Sequence, residues 1–210
     1  MKRQIRYGVF ETNSSSMHSL VIRNPDATYY DEETCKDEKI CHILTHEEML
    51  ESLKDGNLRD LEHGILDFSY ENWNFGRAPF RICSTFNDKV QYFLASKYRY
   101  GDIDDNEQLE INEGIELIKS LVPEVKEVRI PEKDEYGYRN INFDEPYYQM
   151  WQRKNGFTDL QFLTDTRYIP IQDGDEYCKW SSLVQHGIVD KEVVKDTDVK
   201  DYYGTGDDYE

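Results

Sequence analysis

Positive charge is scarce in this chain. Its 210 residues hold 25 Lys and Arg against 43 Asp and Glu, a formal net charge of −18. That balance argues against direct nucleic-acid binding, which relies on a basic surface to neutralise phosphates and release counterions. Long apolar runs are also missing: nothing approaches the ~20 residues that cross a bilayer, so no membrane role is expected. Met1–Arg6 is basic but no apolar segment follows it, unlike a secretory leader. A cytoplasmic location is the expectation. Cys35, Cys41, Cys83 and Cys178 are too sparse for a disulfide scaffold and are expected as thiols.

Aromatic residues are plentiful. The hydrophobic fraction is only 38%, but 16 Tyr, 9 Phe and 3 Trp compensate, because each ring buries a large area. The length suits a single globular domain over residues 1–190. After it, residues 190–210 hold eight acids and three lysines with no apolar pattern, so 191–210 reads as a disordered acidic tail.

Pattern and punctuation predict an α/β or α+β fold, with one mixed sheet covered by four to five helices. Residues 4–11 and 17–23 read as strands, 26–39 as an acidic loop and Ile40–Leu44 as a short strand. Thr45-His-Glu-Glu48 fits a capping box opening a helix with Met49, Leu50 and Leu53, which meets Gly56. A short second piece around Leu58 and Leu61 ends at Gly64. Residues 65–80 are aromatic without a clean period, and Phe80–Cys83 is a strand. Helices are predicted near 87–98, up to Pro123, and from an Asp144 cap to Gly156, with Val125–Ile130 as a strand. Leu160–Leu163 and Tyr168–Ile171 read as paired strands, and a last helix carries Trp180, Leu183 and Val184. The predicted core is Val9, Ile22, Leu50, Val90, Phe93, Leu94, Ile115, Ile118, Trp151, Leu163, Ile169, Trp180 and Leu183.

One block breaks the ordinary pattern. Between the first two strands stand Glu11, Thr12, Asn13, Ser14, Ser15, Ser16, His18 and Ser19, eight polar residues in nine positions. A chain reversal needs only two to four residues, and polar loops between strands commonly carry sites. If extended, Ser14, Ser16 and His18 share a face, with about 7 Å between alternate Cα atoms. That spacing suits a shared ligand better than direct proton transfer. If turned, successive backbone N–H groups and three hydroxyls form an anion nest, with Arg6 or His18 supplying positive charge.

The candidate catalytic residues are therefore His18, Ser15, Ser16 and Glu11, and the candidate ligand-binding residues Arg6, Asn13 and Ser14. A serine nucleophile would take His18 as base and Glu11 as its orienting acid. The structural alternative is a broad turn whose hydroxyls satisfy backbone groups. The block lacks the glycines and lysine of a P-loop, and the chain has no Gly-x-Ser-x-Gly elbow.

Phe10-Glu-Thr-Asn-Ser-Ser-Ser-Met-His-Ser19 resembles an uncharacterised group of small proteins from bacteriophages and their low-GC Gram-positive hosts. Weaker likeness extends over Phe86–Ala95 and Asp165–Glu176. The resemblance implies a phage or prophage origin and brings no activity with it.

Other clusters have ordinary explanations. Cys35, Cys41, His42 and His46 have a zinc-like ligand count, but adjacent Cys41 and His42 would point apart in a strand, so no metal is assigned. Asp102, Asp104 and Asp105, or Asp173, Asp175 and Glu176, could hold a hard cation, though helix capping accounts for Asp173 and Asp175 equally well. No cofactor is identified. Two partner classes follow: a phosphate-bearing small molecule at the polar block, or a basic host protein whose nucleic-acid-binding surface an acidic, non-enzymatic accessory protein would occupy.

Overall fold

The longest apolar-periodic segments fold as helices in the computed structural model, which describes residues 17–26, 28–60, 62–68, 81–97, 105–130, 147–173 and 194–197. Helix α1 (His46–Asp55) begins at the Thr45 capping box: the Thr45 side chain accepts from the Glu48 N–H, and Glu48 accepts from the Thr45 N–H at 2.7 Å. Helix α2 (Phe86–Lys97) is capped by Thr85, whose hydroxyl accepts from the Asp88 N–H at 3.1 Å. Its residues Lys89–Ser96 are all buried, as befits a helix surrounded on every side. Around it lie α1, α3 (Asp105–Leu121), α4 (Tyr147–Asn155) and α5 (Asp159–Thr164). Helix α3 packs closely on α2 because Gly114 faces the Phe93 ring, where a Cβ would stand 3.0 Å from Cε1. Gly156, at φ +71°, ends α4 in the left-handed region that glycine tolerates.

The strands make three small sheets among the described residues, not the single mixed sheet expected. With five helices, the architecture is α+β. The largest sheet has the order β6 (Arg81–Ile82), β8 (Tyr168–Asp173), β1 (Met17–Arg23), β9 (Val194–Thr197), and is antiparallel throughout. A second pairs β4 (Leu58–Asp60) antiparallel with β5 (Ile65–Asp67), which runs parallel to β7 (Glu127–Arg129). The third is a hairpin of β2 (Thr28–Asp31) and β3 (Lys36–Lys39).

Four local expectations are corrected. Residues 26–39 contain that hairpin; β3 is exposed at every position, so no apolar alternation marked it as a strand. Ile40–Leu44 forms only a single bridge, Ile43 to Asp165. The piece around Leu58 is strand β4, and Leu61 lies outside the described residues. Leu160–Leu163 belongs to helix α5, because Thr158 and Gln161 form a second capping box.

Of the predicted core, Val90, Phe93, Leu94, Ile118, Trp151, Leu163 and Ile169 are buried, while Ile22, Leu50 and Ile115 are half-buried and packed on the core. Val9, Trp180 and Leu183 lie outside the described residues. An aromatic cluster fills the centre: Tyr148 meets Phe162 edge-on at 4.8 Å, and Tyr92 stacks on Trp151 at 5.8 Å. The opposite face of the four-stranded sheet is buried too, at Val21, Ile169 and Ile171. Within the stretch expected to be an acidic tail, Val194–Thr197 pairs with β1, and the remainder lies outside the described residues. No described helix is long and apolar enough to cross a membrane.

Candidate functional site

Arg6, Glu11, Asn13, Ser14, Ser15 and Ser16 lie outside the described residues, which begin at Met17. Of the candidate site, the structure therefore places only His18, and through its backbone. Position 18 lies in β1, which pairs with β8 from Met17 to Ile22 and with β9 only from Val21 to Arg23. It stands opposite Gln172 of β8, and Gln172 in turn stands opposite Arg81 of β6.

Opposed positions in antiparallel strands share a face, as do alternate positions along one strand. Positions 18, 20 and 22 of β1 thus fall on one face with 172, 170 and 168 of β8. That face carries Leu20 and Tyr168 of the main core. Moving along it toward Met17, the cross-strand ranks read Asp196 with Ile22 and Tyr168, Leu20 with Pro170, then His18 with Gln172 and Arg81. The Leu20–Pro170 pair thus stands between a rank with Asp196 and one that is polar on all three strands, the latter at the end of β1 that follows the polar block in sequence. Neither Gln172 nor Arg81 was among the sequence candidates. They are distant in sequence, and only strand pairing aligns them with His18.

A second polar centre lies between α2 and the end of α5. Lys89 is 1% exposed, and its Nζ donates to the carbonyls of Phe162 at 3.0 Å and Asp165 at 2.6 Å. These carbonyls belong to the last turn of α5 and its cap, where carbonyls lack helical partners and a cation complements the dipole. Burial pushes the Lys89 ammonium down to about 7, against the opposing influence of the Asp165 carboxylate. Asp165, also buried, is held by Arg167 through Nε at 2.7 Å and Nη2 at 2.5 Å. Burial pushes the neighbouring Cys41 thiol up, away from the reactive thiolate.

A lysine titrating near neutrality has the character of a base or nucleophile. Here both bonds end on backbone carbonyls. An open hollow of about 280 Å³, lined by Glu62, Gly64, Pro123, Glu124 and Lys126, lies elsewhere. Through those two bonds Lys89 fastens α2 to the end of α5. Nothing in the sequence marked it, since it sits beside Asp88 like any helix-surface charge.

The zinc-like quartet is dispersed into other roles. Cys35 is exposed on the β2–β3 turn and Cys41 is buried. His42 pairs with Glu48, and His46 with Glu124, each at 2.9 Å. Hydrogen bonds from the Thr45 backbone and hydroxyl hold the Glu48 carboxyl below its usual range, and the His46 bond does the same for Glu124. Among the described residues, no group of three or more His, Cys, Asp or Glu is placed to hold a metal ion. Asp102, Asp104, Asp175 and Glu176 lie outside them, while Asp105 opens α3 and Asp173 closes β8. In comparisons with known proteins, no family model, no curated protein and no solved structure matches this chain.

Proposed function

We propose that this is a phage-type cytoplasmic protein whose N-terminal polar block binds a phosphate-bearing small molecule or nucleotide. One observation carries the reading: the block leads directly into β1, an interior strand of the four-stranded sheet. A loop anchored on a rigid strand can hold several donors in fixed relation, which is how loops carry binding sites. Arg6, Asn13, Ser14 and His18 would position the phosphate, with Ser15, Ser16 and Glu11 beside it. No reaction is assigned. A thermal-shift screen against nucleotides and sugar phosphates tests the reading, since a ligand at 100 times its Kd adds about 2.7 kcal/mol of stability. The shift should vanish in a Ser15/Ser16/His18 triple-alanine variant. A wild type indifferent to every compound would sink it.

A second reading, a non-enzymatic acidic accessory protein that blocks the basic surface of a host defence or nucleic-acid-binding protein, is favoured by the β2–β3 hairpin. Glu32, Glu33, Asp37 and Glu38 are all exposed there, in a chain of net charge −18. Electrostatic association of this kind is fast and salt-sensitive. Capture of a basic protein from host lysate at low salt, lost at high salt, supports it; a salt-resistant catch counts against it.

A further inference from the structure

We propose that the outer edge of β3 is a docking strand for an extended basic segment of a protein partner, which joins the β2–β3 hairpin as a third strand. This rests on the second reading above, the basic host protein, and names where and in what conformation that partner is held.

Strand β3 pairs with β2 at Lys36, Asp37, Glu38 and Lys39. In an antiparallel ladder only alternate residues turn their N–H and C=O toward a given neighbour. Two of these four residues therefore direct both groups to the other edge of β3. Among the described residues no strand pairs with that edge. All four positions are exposed, which leaves the strand open to an incoming chain. The hairpin is also a sheet of two strands only, and a third strand supplies stability that two alone lack. Extended peptides add to such edges through main-chain hydrogen bonds, while their side chains set specificity.

Charge identifies the occupant. From Thr28 to Lys39 the hairpin holds five carboxylates, Asp31, Glu32, Glu33, Asp37 and Glu38, against two lysines. On β3 the lysines stand at the two ends, so the partner's bases belong at the centre, opposite Asp37 and Glu38. Those neighbours fall on opposite faces of the strand, and two adjacent bases on the partner alternate in the same way. A second copy of β3 is a poor occupant. Antiparallel pairing of all four positions would set Lys36 against Lys39 and Asp37 against Glu38, like charge against like at every rank. Charged edges keep strands from associating with their own kind by this means. Toward a strand with a basic centre the same carboxylates attract.

The probe is the peptide Thr-Val-Thr-Arg-Arg-Thr-Val-Thr, with affinity read by fluorescence anisotropy and β3 amide exchange by NMR. It should bind wild-type protein and slow exchange within Lys36–Lys39, and its Glu-Glu counterpart should not bind. N-methylation of both arginines keeps their charge but obstructs the ladder on either edge of the peptide, and should weaken binding roughly tenfold or more. Asp37→Lys should weaken it roughly tenfold, and Asp37→Asn less. If the N-methylated peptide binds like its parent, or β3 exchange is unmoved at saturation, no strand is added and the proposal is overturned. A wild type indifferent to the Arg-Arg peptide overturns it too. Both comparisons use the unaltered protein, so they decide even if Asp37→Lys disturbs the hairpin. Low-salt capture of a basic host protein judges the underlying reading separately. If wild type and Asp37→Lys capture it equally, that reading stands and this inference fails; if wild type captures none, both fail.

Discussion

Lys89 and Asp165, 76 residues apart, are joined by a hydrogen bond of 2.6 Å from the lysine amine to the aspartate's backbone carbonyl. The bond does not depend on charge. A neutral amine keeps two N–H donors, enough for both Asp165 and Phe162, so the proton can leave without breaking either contact. The unfolded chain holds that proton to about 10.5, the folded protein only to about 7. Between those values the unfolded state binds more protons, so the Lys89 contribution to stability rises with pH through this window. Below it both states are protonated and the contribution stays at its minimum. Urea unfolding of wild type and Lys89→Met at pH 7 and pH 9 should show the difference moving in favour of wild type at the higher pH. A pH-independent gap would mean the buried amine titrates normally.

Gly56→Ala should destabilise the fold. A Cβ there would lie 2.2 Å from Asn87 Cγ, and Asn87 is fixed by bonds to Asn57 N and Oδ1, each at 3.0 Å. Overpacking of this kind costs about 1–3 kcal/mol. Asn87→Ala in the same background should recover part of the loss, and chemical denaturation of the two variants measures it.

Phe162 contributes both a ring and a carbonyl to the centre. Its ring meets Tyr148, Phe157 and Tyr92, while its backbone receives one Lys89 bond. Truncation to alanine removes only the ring and should cost about 3–5 kcal/mol. A denaturation midpoint close to wild type would show that the aromatic cluster does not hold the helices together.

Thr158→Ala tests the cap that turns residues 159–164 into a helix. The Thr158 hydroxyl accepts from Gln161 N at 3.2 Å, and the Thr158 N–H donates to Gln161 Oε1 at 2.8 Å. Its loss should cost about 1 kcal/mol, and faster amide exchange at Gln161 should accompany it.

Thiol accessibility separates the cysteines. In a Cys178→Ser background, Cys35 on its exposed turn should react quickly with a thiol reagent, while buried Cys41 and Cys83 wait for denaturation. Rapid reaction of all three would contradict the burial of the α2 amino end and of the segment beside Asp165.

Helices with strong local signals were legible in the chain. Thr45 and Glu48 announce α1, and the spacing of Ile111, Ile115 and Ile118 announces α3. Residues 160–163 read as a strand because three apolar residues in four positions fit either period, and half of the deciding signal, Thr158 as partner of Gln161, sits outside the stretch. The β2–β3 hairpin was invisible for the opposite reason, since Lys36–Lys39 offers no buried face to alternate with. The polar block could be found by composition alone. The alignment of His18 with Gln172 and Arg81 could not, because register between distant strands is written in no local pattern.

The pairing of β1 also sets a timetable for synthesis. Its partner β8 follows roughly 150 residues later, a separation that makes this sheet a slow, high-contact-order element. At 5–20 residues per second, β1 emerges from the ribosome about 8–30 s before β8 exists to receive it. Until then both edges of an apolar strand are open, and the nascent chain depends on its acidic charge or on a chaperone to keep Leu20, Val21 and Ile22 from pairing with a neighbour.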